Sequence, residues 1–378
     1  MLVLIVEALG GLCLAMSAAG TVYTLAAAML AGRLSGSGDR AAVAASLLKP
    51  LHGAEPGLED NLQSFVRQDY SAPVQIVFGV QDPADPALQV VESIRLRNPQ
   101  ADIEVAVGAL AQGPNRKVCN LINMASKARH ELLVLSDADM RAGPDYLGLV
   151  AGASEAPGVG VVTCYYFGQG RTGFWSRVAA MGISYGFLPN VLVGVGLGLA
   201  HPCMGSTIAL KRPVLDEIGG FEAFAHALAD DYEIGQAVRA RGYRSALPRF
   251  ALAHGCAEQT LRELFAHELR WSVTIRCMDP VGHAGSVVTH AAPLALIGAL
   301  LLGAPAWALA ALVAALVARL FLLRCIDQAV GVTSGPWQLM PLRDILSFGV
   351  FVCSLFARRV DWRGAKFRIS SNGKLFPA

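Results

Sequence analysis

The sequence predicts an α/β domain with a mostly parallel sheet, flanked by transmembrane helices on its N-terminal and C-terminal sides. Three observations lead to this prediction. Long apolar segments lie near both ends of the chain, strand and helix patterns alternate between them, and one apolar strand pattern, LLVLSDAD at residues 132–139, ends in two aspartates one residue apart. Open α/β sheets bind ligands at the C-terminal ends of their strands, so this pair marks the predicted functional edge.

The composition places part of the chain in lipid. Of its 378 residues, 54% are hydrophobic and 16% are charged, and the mean hydropathy is +0.45, which is too apolar for a purely soluble protein. The net charge is +2 and no basic stripe stands out, so we expect no nucleic-acid partner. The eight cysteines show no CxxC pairing. We therefore expect buried thiols in a reducing compartment and no zinc site.

The N-terminal segment, residues 1–31, is predicted to be a transmembrane helix. Glu7 is its only charged residue before Arg33, and about 20 apolar residues suffice to cross a bilayer. A cleaved signal peptide is the alternative, but the segment lacks a basic start and its apolar run is too long. Basic residues follow the segment at Arg33, Arg40 and Lys49. The positive-inside rule therefore places the following domain in the cytoplasm.

Residues 281–360 are predicted to form a C-terminal membrane region. Two apolar runs occupy residues 287–302 and 304–323, and a shorter one occupies 345–356. The third run is short enough to be interfacial or re-entrant, so two to three spans are expected. The tail, residues 361–378, is basic with interspersed aromatic residues, which suits a cytoplasmic membrane surface.

Another apolar stretch, residues 178–201, has the length of a span but contains several glycines and a central Pro189-Asn190. A single crossing there would put Asp137 and Asp231 on opposite sides of the membrane. We therefore expect an apolar wall or an interfacial segment beside the functional site, with an ordinary buried helix as the alternative.

Residues 40–280 are predicted to form the α/β domain, joined to the first helix by the Gly/Ser-rich linker 32–40. Apolar runs predict strands over 43–49, 74–80, 103–107 and 132–136. The intervening patterns predict helices over 56–67, 86–97 and 115–128. This is a repeated βα unit, which is typical of a mostly parallel sheet.

Carboxylates follow two of these strands. Asp137 and Asp139 offer hard oxygen ligands where the Mg²⁺ or Mn²⁺ of a nucleotide would sit, although aspartates also cap helices at such turns. Asp82 follows the second strand, and it lies near Asp137 at the same edge if the two strands are neighbours. An ordinary turn in DPADP is the alternative for Asp82, and it explains Asp85 better.

Two further motifs lie downstream. In ADDYE, residues 229–233, either aspartate could cap the next helix, while Asp231 is suited to act as a general base. In HELRW, residues 267–271, Arg270 offers donors for a diphosphate and Trp271 offers an aromatic surface.

The order of these four sites resembles the processive and ceramide-type branch of the inverting GT-A glycosyltransferases, whose pattern is D, DxD, D, (Q/R)xxRW. The resemblance covers roughly residues 43–280 and implies a GT-A nucleotide-sugar-binding domain. It implies that Asp82 contacts the uracil or ribose of a UDP-sugar donor. It further implies that Asp137 and Asp139 contact the donor and its divalent metal, and that Asp231 is the catalytic base.

The same resemblance implies that Arg270 and Trp271 hold the diphosphate or shape the acceptor side. His267 departs from the pattern, because it stands where the family has Gln or Arg. The segment GPNRKVCNL at 113–121 resembles the NPKxNNL segment of ceramide glucosyltransferases, which nominates Lys117 and Asn120 for the donor site. An amphipathic surface helix is the alternative there.

Membrane anchoring on both flanks suggests a lipid acceptor. Residues 49–70 and 75–87 resemble bacterial hopanoid-biosynthesis glycosyltransferases, which attach N-acetylglucosamine to bacteriohopanetetrol, and this acceptor is favoured. Similar segments occur in bacterial ceramide glucosyltransferases, which implies glucose transfer to ceramide as the alternative. Either resemblance implies a multi-pass protein of the bacterial inner membrane. A processive polysaccharide synthase would need more transmembrane helices, and a non-enzymatic scaffold would leave the acidic motifs as caps and turns.

Overall fold

The computed structural model describes residues 1–36, 38–108 and 112–357, together with the backbone of three short C-terminal strands. These strands are β11 (Arg359–Trp362), β12 (Ala365–Ile369) and β13 (Leu375–Pro377), and they form one antiparallel sheet. The side chains of the predicted basic tail, residues 361–378, lie outside the described residues.

A seven-stranded mixed sheet forms the centre of the α/β domain. Its strand order is β3-β2-β1-β4-β8-β6-β9, and its members are β1 (Ala45–Pro50), β2 (Val74–Val80), β3 (Asp102–Val107), β4 (Leu132–Leu135), β6 (Val159–Val162), β8 (Ile208–Lys211) and β9 (Arg244–Ala246). The first four strands in this order are parallel, and β8 runs antiparallel to both of its neighbours. The prediction of an α/β fold with a mostly parallel sheet is confirmed.

Helices cover both faces of this sheet. They are α2 (Leu58–Val66), α3 (Ala87–Arg97), α4 (Arg116–Ala125), α5 (Tyr146–Ser154), α8 (Arg212–Glu217) and α9 (Asp230–Ala240). Because successive side chains of a strand point to opposite faces, Leu47 and Leu48 of β1 enter two separate apolar cores. Both are fully buried, so β1 has an apolar layer on each side, as a central parallel strand requires.

The predicted strands and helices between residues 43 and 136 are all present, with ends that differ by at most a few residues. The start of α4 shows why the helix forms there. The side chain of Asn115 accepts a hydrogen bond from the backbone N–H of Val118 at 3.1 Å, which satisfies one of the unpaired donors of the first turn.

A smaller sheet lies beside the main one. It has the order β5-β10-β7, from β5 (Met140–Arg141), β7 (Tyr165–Gly170) and β10 (Ala251–Cys256). Strand β5 follows the predicted aspartate pair directly and pairs with β10, so His254 faces Met140 in the register. This pairing brings a distant part of the chain to the end of β4.

The N-terminal helix α1 (Leu2–Leu30) packs along α12 (Ala291–Leu301) and α13 (Ala306–Val330). A side chain at Gly20 would collide with the carbonyl oxygen of Val288, so glycine permits the close approach of these segments. Among the described residues, four helices are long and apolar enough to cross a membrane. A fifth arises if Pro280–Thr289 and Ala291–Leu301, which are bent by 66°, form one broken span. The first part of this pair contains α11 (Pro280–Gly285).

The apolar stretch that begins near residue 174 is one continuous helical segment. It consists of α6 (Phe174–Gly182), a π-helical turn (Ile183–Phe187) and α7 (Leu188–Gly196). It has the length of a span, but it packs against β7 of the α/β domain and is largely buried. Its position fits the predicted wall beside the domain.

The last helix, α14 (Met340–Phe356), runs beside α10 (Leu261–Met278) along its length. Near its start, Arg343 forms a buried ion pair with Glu268 at 2.8 Å. Beyond its other end, the carbonyl oxygen of Ala357 accepts a hydrogen bond from Arg276 at 2.5 Å. Both ends of α14 are therefore fixed to α10.

A buried ion pair joins α13 to α14. The guanidinium of Arg319 donates to the two carboxylate oxygens of Asp344 at 3.1 and 2.8 Å and to the carbonyl oxygen of Tyr185 at 2.7 Å. Both charged side chains are about one-tenth exposed. The pair thus holds two C-terminal helices against the π-helical turn.

We expect Asp344→Ala to lower thermal stability strongly, because it leaves the Arg319 guanidinium buried without its partner. Removing one member of a buried pair costs roughly 3–5 kcal/mol of unfolding free energy. Thermal unfolding of the detergent-purified protein measures this loss. Asp145→Ala is the control, since it breaks an exposed pair with Arg40, worth about 1 kcal/mol or less. Equal melting temperatures for the two variants would contradict the assignment.

Candidate active site

A cleft of about 620 Å³ opens at the C-terminal ends of β1, β2 and β4. Every predicted site residue except Asp82 lines it, namely Lys117, Asn120, Asp137, Asp139, Asp231, Arg270 and Trp271. The main sheet supplies the floor, and α10 and the segment 174–196 supply the other walls. Asp137 and Asp231 thus share one cleft, which a single membrane crossing between them would not allow.

Asp82 lies outside this cleft. Its carboxylate is exposed and accepts a hydrogen bond from the backbone N–H of Ala84 at 2.8 Å, which forms a turn. The condition for Asp82 to lie near Asp137, that their strands are neighbours, is not met, because β1 lies between β2 and β4. Gln81, the preceding residue, does line the cleft. A contact between Asp82 and the nucleoside stays a prediction.

Lys117 lies among the aspartates of the cleft. Its Nζ is 2.6 Å from Asp137 and 3.6 Å from Asp230. Burial alone would lower the pKa of Lys117, but Asp137, Asp230 and Asp231 raise it well above its usual value. Lys117 therefore stays charged at neutral pH and lines the cleft, and its role in donor binding stays a prediction.

Asp139 is paired with a histidine that the sequence motifs do not reveal. His254 Nε2 lies 3.2 Å from an Asp139 carboxylate oxygen. Burial opposes ionisation of Asp139, but the charge and hydrogen bond of His254 lower its pKa to about 2. The same pairing raises the pKa of His254 well above its ordinary value, against the effect of burial. His254 is placed by the pairing of β5 with β10, a non-local contact with no signature in the sequence.

Lys49 is a second residue with an unexpected position. Although it resembles one of the surface charges that follow the first helix, its side chain is fully buried. Its Nζ donates to the carbonyl oxygen of Asp137 at 2.6 Å and to Ser136 Oγ at 3.2 Å, and it lies 3.6 Å from the centre of the Phe65 ring. Burial lowers its pKa to about 7. Lys49 thus fixes the turn that presents the two aspartates.

Asp231 lies at the start of α9, but neither it nor Asp230 provides the N-cap, which is Ala229. The Asp231 carboxylate accepts hydrogen bonds from the backbone N–H of Gly205 at 3.1 Å and of Tyr232 at 2.8 Å. Burial and the neighbouring charge of Asp230 raise its pKa to about 6. A carboxylate with this pKa is ionised at neutral pH and is basic enough to accept a proton.

The HELRW motif lies on α10, which begins where Thr260 accepts a hydrogen bond from the backbone N–H of Glu263 at 3.2 Å. His267, Arg270 and Trp271 all line the cleft. His267 Nδ1 is 2.7 Å from Glu258, and its ring centre is 4.4 Å from that of Trp271. The residue that departs from the family pattern therefore faces the same cleft as the two that match it.

Asn120 has a structural role as well as a place in the cleft. Its side chain is buried, and its amide donates to the carbonyl oxygen of Gly79 at 2.8 Å, which joins α4 to β2. Its side-chain oxygen is buried and has no hydrogen-bond partner among the residues that the structure describes. Such an atom is costly unless a ligand or water satisfies it.

The donor atoms in the cleft suit a hard divalent cation. Within the described residues, no three His, Cys, Asp or Glu side chains are arranged as a complete metal site. Nucleotide-bound Mg²⁺ needs no such cage, because one or two carboxylates and the phosphates of the ligand complete its coordination. Asp139 offers a buried oxygen that accepts no hydrogen bond from any described residue. The residues present thus fit a nucleotide-bound Mg²⁺ or Mn²⁺.

Comparison with known proteins agrees with this geometry. The sequence pattern of glycosyl transferase family 21 matches residues 12–375. Ceramide glucosyltransferase 1 of Caenorhabditis elegans is 27% identical over 227 residues, which are 60% of this chain and 48% of that protein. Ceramide glucosyltransferase 3 of the same organism is 24% identical over 356 residues, which are 88% of this chain and 74% of that protein. The chain thus spans about half the length of the first of these relatives.

A solved structure is also similar. It is the mannosyltransferase PcManGT from Pyrobaculum calidifontis in complex with GDP-Man and Mn²⁺. The TM-score is 0.50 and the identity is 19%, and the match covers 92% of this chain and 99% of the mannosyltransferase chain. At this identity the similarity concerns the fold alone, and it confirms the predicted GT-A type.

Proposed function

The chain belongs to glycosyl transferase family 21, and from this premise we propose that it transfers a sugar from a UDP-sugar to a hydroxyl group of a membrane lipid. The observation that supports this most directly is the shared cleft. It contains two strand-end aspartates, a third carboxylate with a raised pKa and an arginine, and one wall belongs to a segment that contacts a candidate transmembrane helix. Family membership argues against a non-enzymatic scaffold.

For the donor, we propose that Asp137 and Asp139 hold the divalent metal, and that Lys117 and Arg270 bind the diphosphate. A bound Mg²⁺ or Mn²⁺ would add positive charge where the leaving UDP becomes negative. Trp271 lies beside Arg270 and can cover the sugar or the acceptor with its ring. Asn120 and Asp82 remain proposed contacts of the donor. Asp82 would approach the donor from beside Gln81, which lines the cleft.

For the transfer, we propose that Asp231 is the general base. It takes the proton of the acceptor hydroxyl while that oxygen forms a bond to the anomeric carbon of the sugar. The bond from that carbon to the phosphate oxygen breaks in the same displacement, and UDP leaves with the bonding electrons. One displacement inverts the anomeric centre, so no covalent sugar intermediate on the protein is required.

For the membrane arrangement, we propose three crossings, formed by α1, the broken pair that includes α12, and α13. Helix α14 then lies along the membrane surface, because both of its ends are fixed to α10, which lines the cleft. This arrangement keeps Asp137, Asp231 and the C-terminal tail on the same side of the membrane. The basic residues after α1 favour the cytoplasmic side of a bacterial inner membrane.

Two lipid acceptors follow from different observations. The segments 49–70 and 75–87 favour bacteriohopanetetrol, with N-acetylglucosamine as the sugar. The relatives named above are ceramide glucosyltransferases, which supports ceramide and glucose as the second candidate. The cleft residues proposed for catalysis are the same for both.

We expect Asp137→Ala and Asp139→Ala to abolish metal-dependent UDP binding, because each removes an oxygen ligand. Calorimetric titration of the protein with UDP, first in the presence of Mn²⁺ and then with a chelator, measures the metal-dependent part of the affinity for UDP. Asp145→Ala, which changes an exposed aspartate, should bind UDP like the wild-type protein. Unchanged metal-dependent binding in both cleft variants would reject the metal assignment.

We expect Asp231→Asn to retain donor binding but to lose transfer, since an amide cannot accept the hydroxyl proton. The loss should be about 10²–10⁴-fold in kcat, which is the range for general-base catalysis. Product formation under saturating donor measures this loss, and Asp216→Asn, at an exposed position of α8, is the matched control. Turnover near the wild-type rate in Asp231→Asn would show that another group is the base.

The function itself is tested by mass spectrometry of lipid products. Detergent-purified protein with Mg²⁺ or Mn²⁺ is offered UDP-glucose and UDP-N-acetylglucosamine together with bacteriohopanetetrol and ceramide. We expect an N-acetylhexosamine on the hopanoid, whereas a hexose on ceramide would select the second candidate. No product from any pair, in protein that binds UDP, would reject both acceptors.

A further inference from the structure

One part of the cleft is apolar, although its centre is charged. Tyr166 stacks on Phe187 with ring centres 4.8 Å apart, and its ring centre is 5.7 Å from that of His254. Rings therefore extend from the partner of Asp139 to the helical segment 174–196. Beyond them the cleft is lined by Val191 of α7 and by Ile275 in the last turns of α10.

These apolar side chains are accessible, which is unfavourable in water. Ile275 is 48% exposed, and Met278, one turn further along α10, is partly exposed and lines the same cleft. Sugar nucleotides offer little apolar surface to cover such residues. An exposed apolar cluster beside a polar reaction centre points to a ligand that has both characters.

The position of Phe187 is fixed by buried polar contacts. Phe187 ends the π-helical turn, and turns of this kind occur often at functional sites. Ser184 in this turn accepts a hydrogen bond from the backbone N–H of Gly168 at 2.9 Å and shares one with Ser334 at 2.6 Å. Tyr185 donates to Asp327 at 2.6 Å. The apolar wall is therefore a built element of the cleft.

The same wall leads to the candidate transmembrane helix α1. Tyr23 of α1 donates a hydrogen bond to Asn190 at 3.0 Å, next to Val191. At the end of α7, a Cβ on Gly196 would lie 2.9 Å from Leu30 and 3.2 Å from Arg33, where the apolar run of α1 ends. From Val191 to Gly196 the helix rises only about 8 Å. The apolar part of the cleft thus begins close to the expected bilayer surface.

The opposite wall reaches the membrane region as well. Asp279 lines the cleft and caps α11, where it accepts a hydrogen bond from the backbone N–H of Gly282 at 2.8 Å. Val281 in this helix is 82% exposed. Val281 belongs to the bent helix pair that together is apolar enough to form a span, so its exposed side chain is expected to contact lipid.

We propose that the acceptor lipid enters the cleft from the side, between α7 and the end of α10. Its hydroxyl reaches Asp231, while the adjoining apolar part of the molecule lies against Phe187, Val191, Ile275 and Met278, which we call the acceptor groove. This proposal rests on the proposed function and adds the binding site for the apolar body of the acceptor. The lipid then needs to rise only partly out of the bilayer.

The test fills the groove with a larger side chain. We expect Val191→Trp and Ile275→Trp to raise the KM for a long-chain lipid acceptor by about tenfold or more. The affinity for UDP should stay within about twofold, because only acceptor binding is lost. Val313→Trp is the matched control, since Val313 is 58% exposed on the outer surface of α13, and it should behave like the wild-type protein. Val191→Phe provides a milder change if the larger variant fails to bind UDP.

An unchanged acceptor KM in both groove variants, with UDP binding intact, would overturn the acceptor groove and leave the proposed function standing. If the wild-type protein transfers no sugar to either lipid, the proposed function fails separately. A ceramide with a diazirine in its acyl chain then tests the groove without turnover. Crosslinks to residues 187–191 or 275–278 would support it, and crosslinks confined to the outer surfaces of α1 and α13 would overturn it.

Discussion

The structure of the cleft depends on how four aspartates are held together. Asp137, Asp139, Asp230 and Asp231 all line one cavity, and like charges this close destabilise one another unless cations lie between them. Lys117 sits between Asp137 and Asp230, and His254 binds Asp139. Lys49 lies below the turn and binds the main chain of Asp137. These three side chains come from three different elements, so the cleft forms only when β1, α4 and β10 reach their places.

The sequence predicted the parts of this arrangement that are local. Strands and helices between residues 43 and 136 follow from apolar periodicity, and the aspartates after β4 follow from the contrast between an apolar run and a polar turn. The sequence did not reveal the positions of Lys49 and His254, because both depend on contacts between distant segments. Lys49 looks like a surface charge because nothing in its neighbourhood shows that β1 lies between β2 and β4. His254 lies in β10, and only the pairing of β10 with β5 brings it to the end of β4.

The membrane helices show the same limit. Hydropathy marks α1 and the apolar runs after residue 287 as candidate spans, but it cannot distinguish a span from a helix that packs alongside another helix. Helix α14 is apolar enough to cross a bilayer, yet its contacts with Glu268 and Arg276 fix both of its ends to α10. Segment 174–196 is similar. It is apolar because it is buried between the α/β domain and the candidate membrane helices, with Arg319, Asp344 and Asp327 supplying the polar contacts around its π-helical turn.

His267 shows how a motif can change while its place in the site is kept. The pattern that the sequence resembles has Gln or Arg at this position, and both offer hydrogen-bond donors. Here His267 Nδ1 faces the Glu258 carboxylate, whose pKa is lowered by that contact although burial opposes it. An ionised carboxylate can only accept, so Nδ1 holds a proton and Nε2 is the ring nitrogen left for a ligand. The contact with Glu258 thus orients the ring beside Trp271, and the histidine keeps the place in the cleft that the resembled pattern gives to a longer side chain.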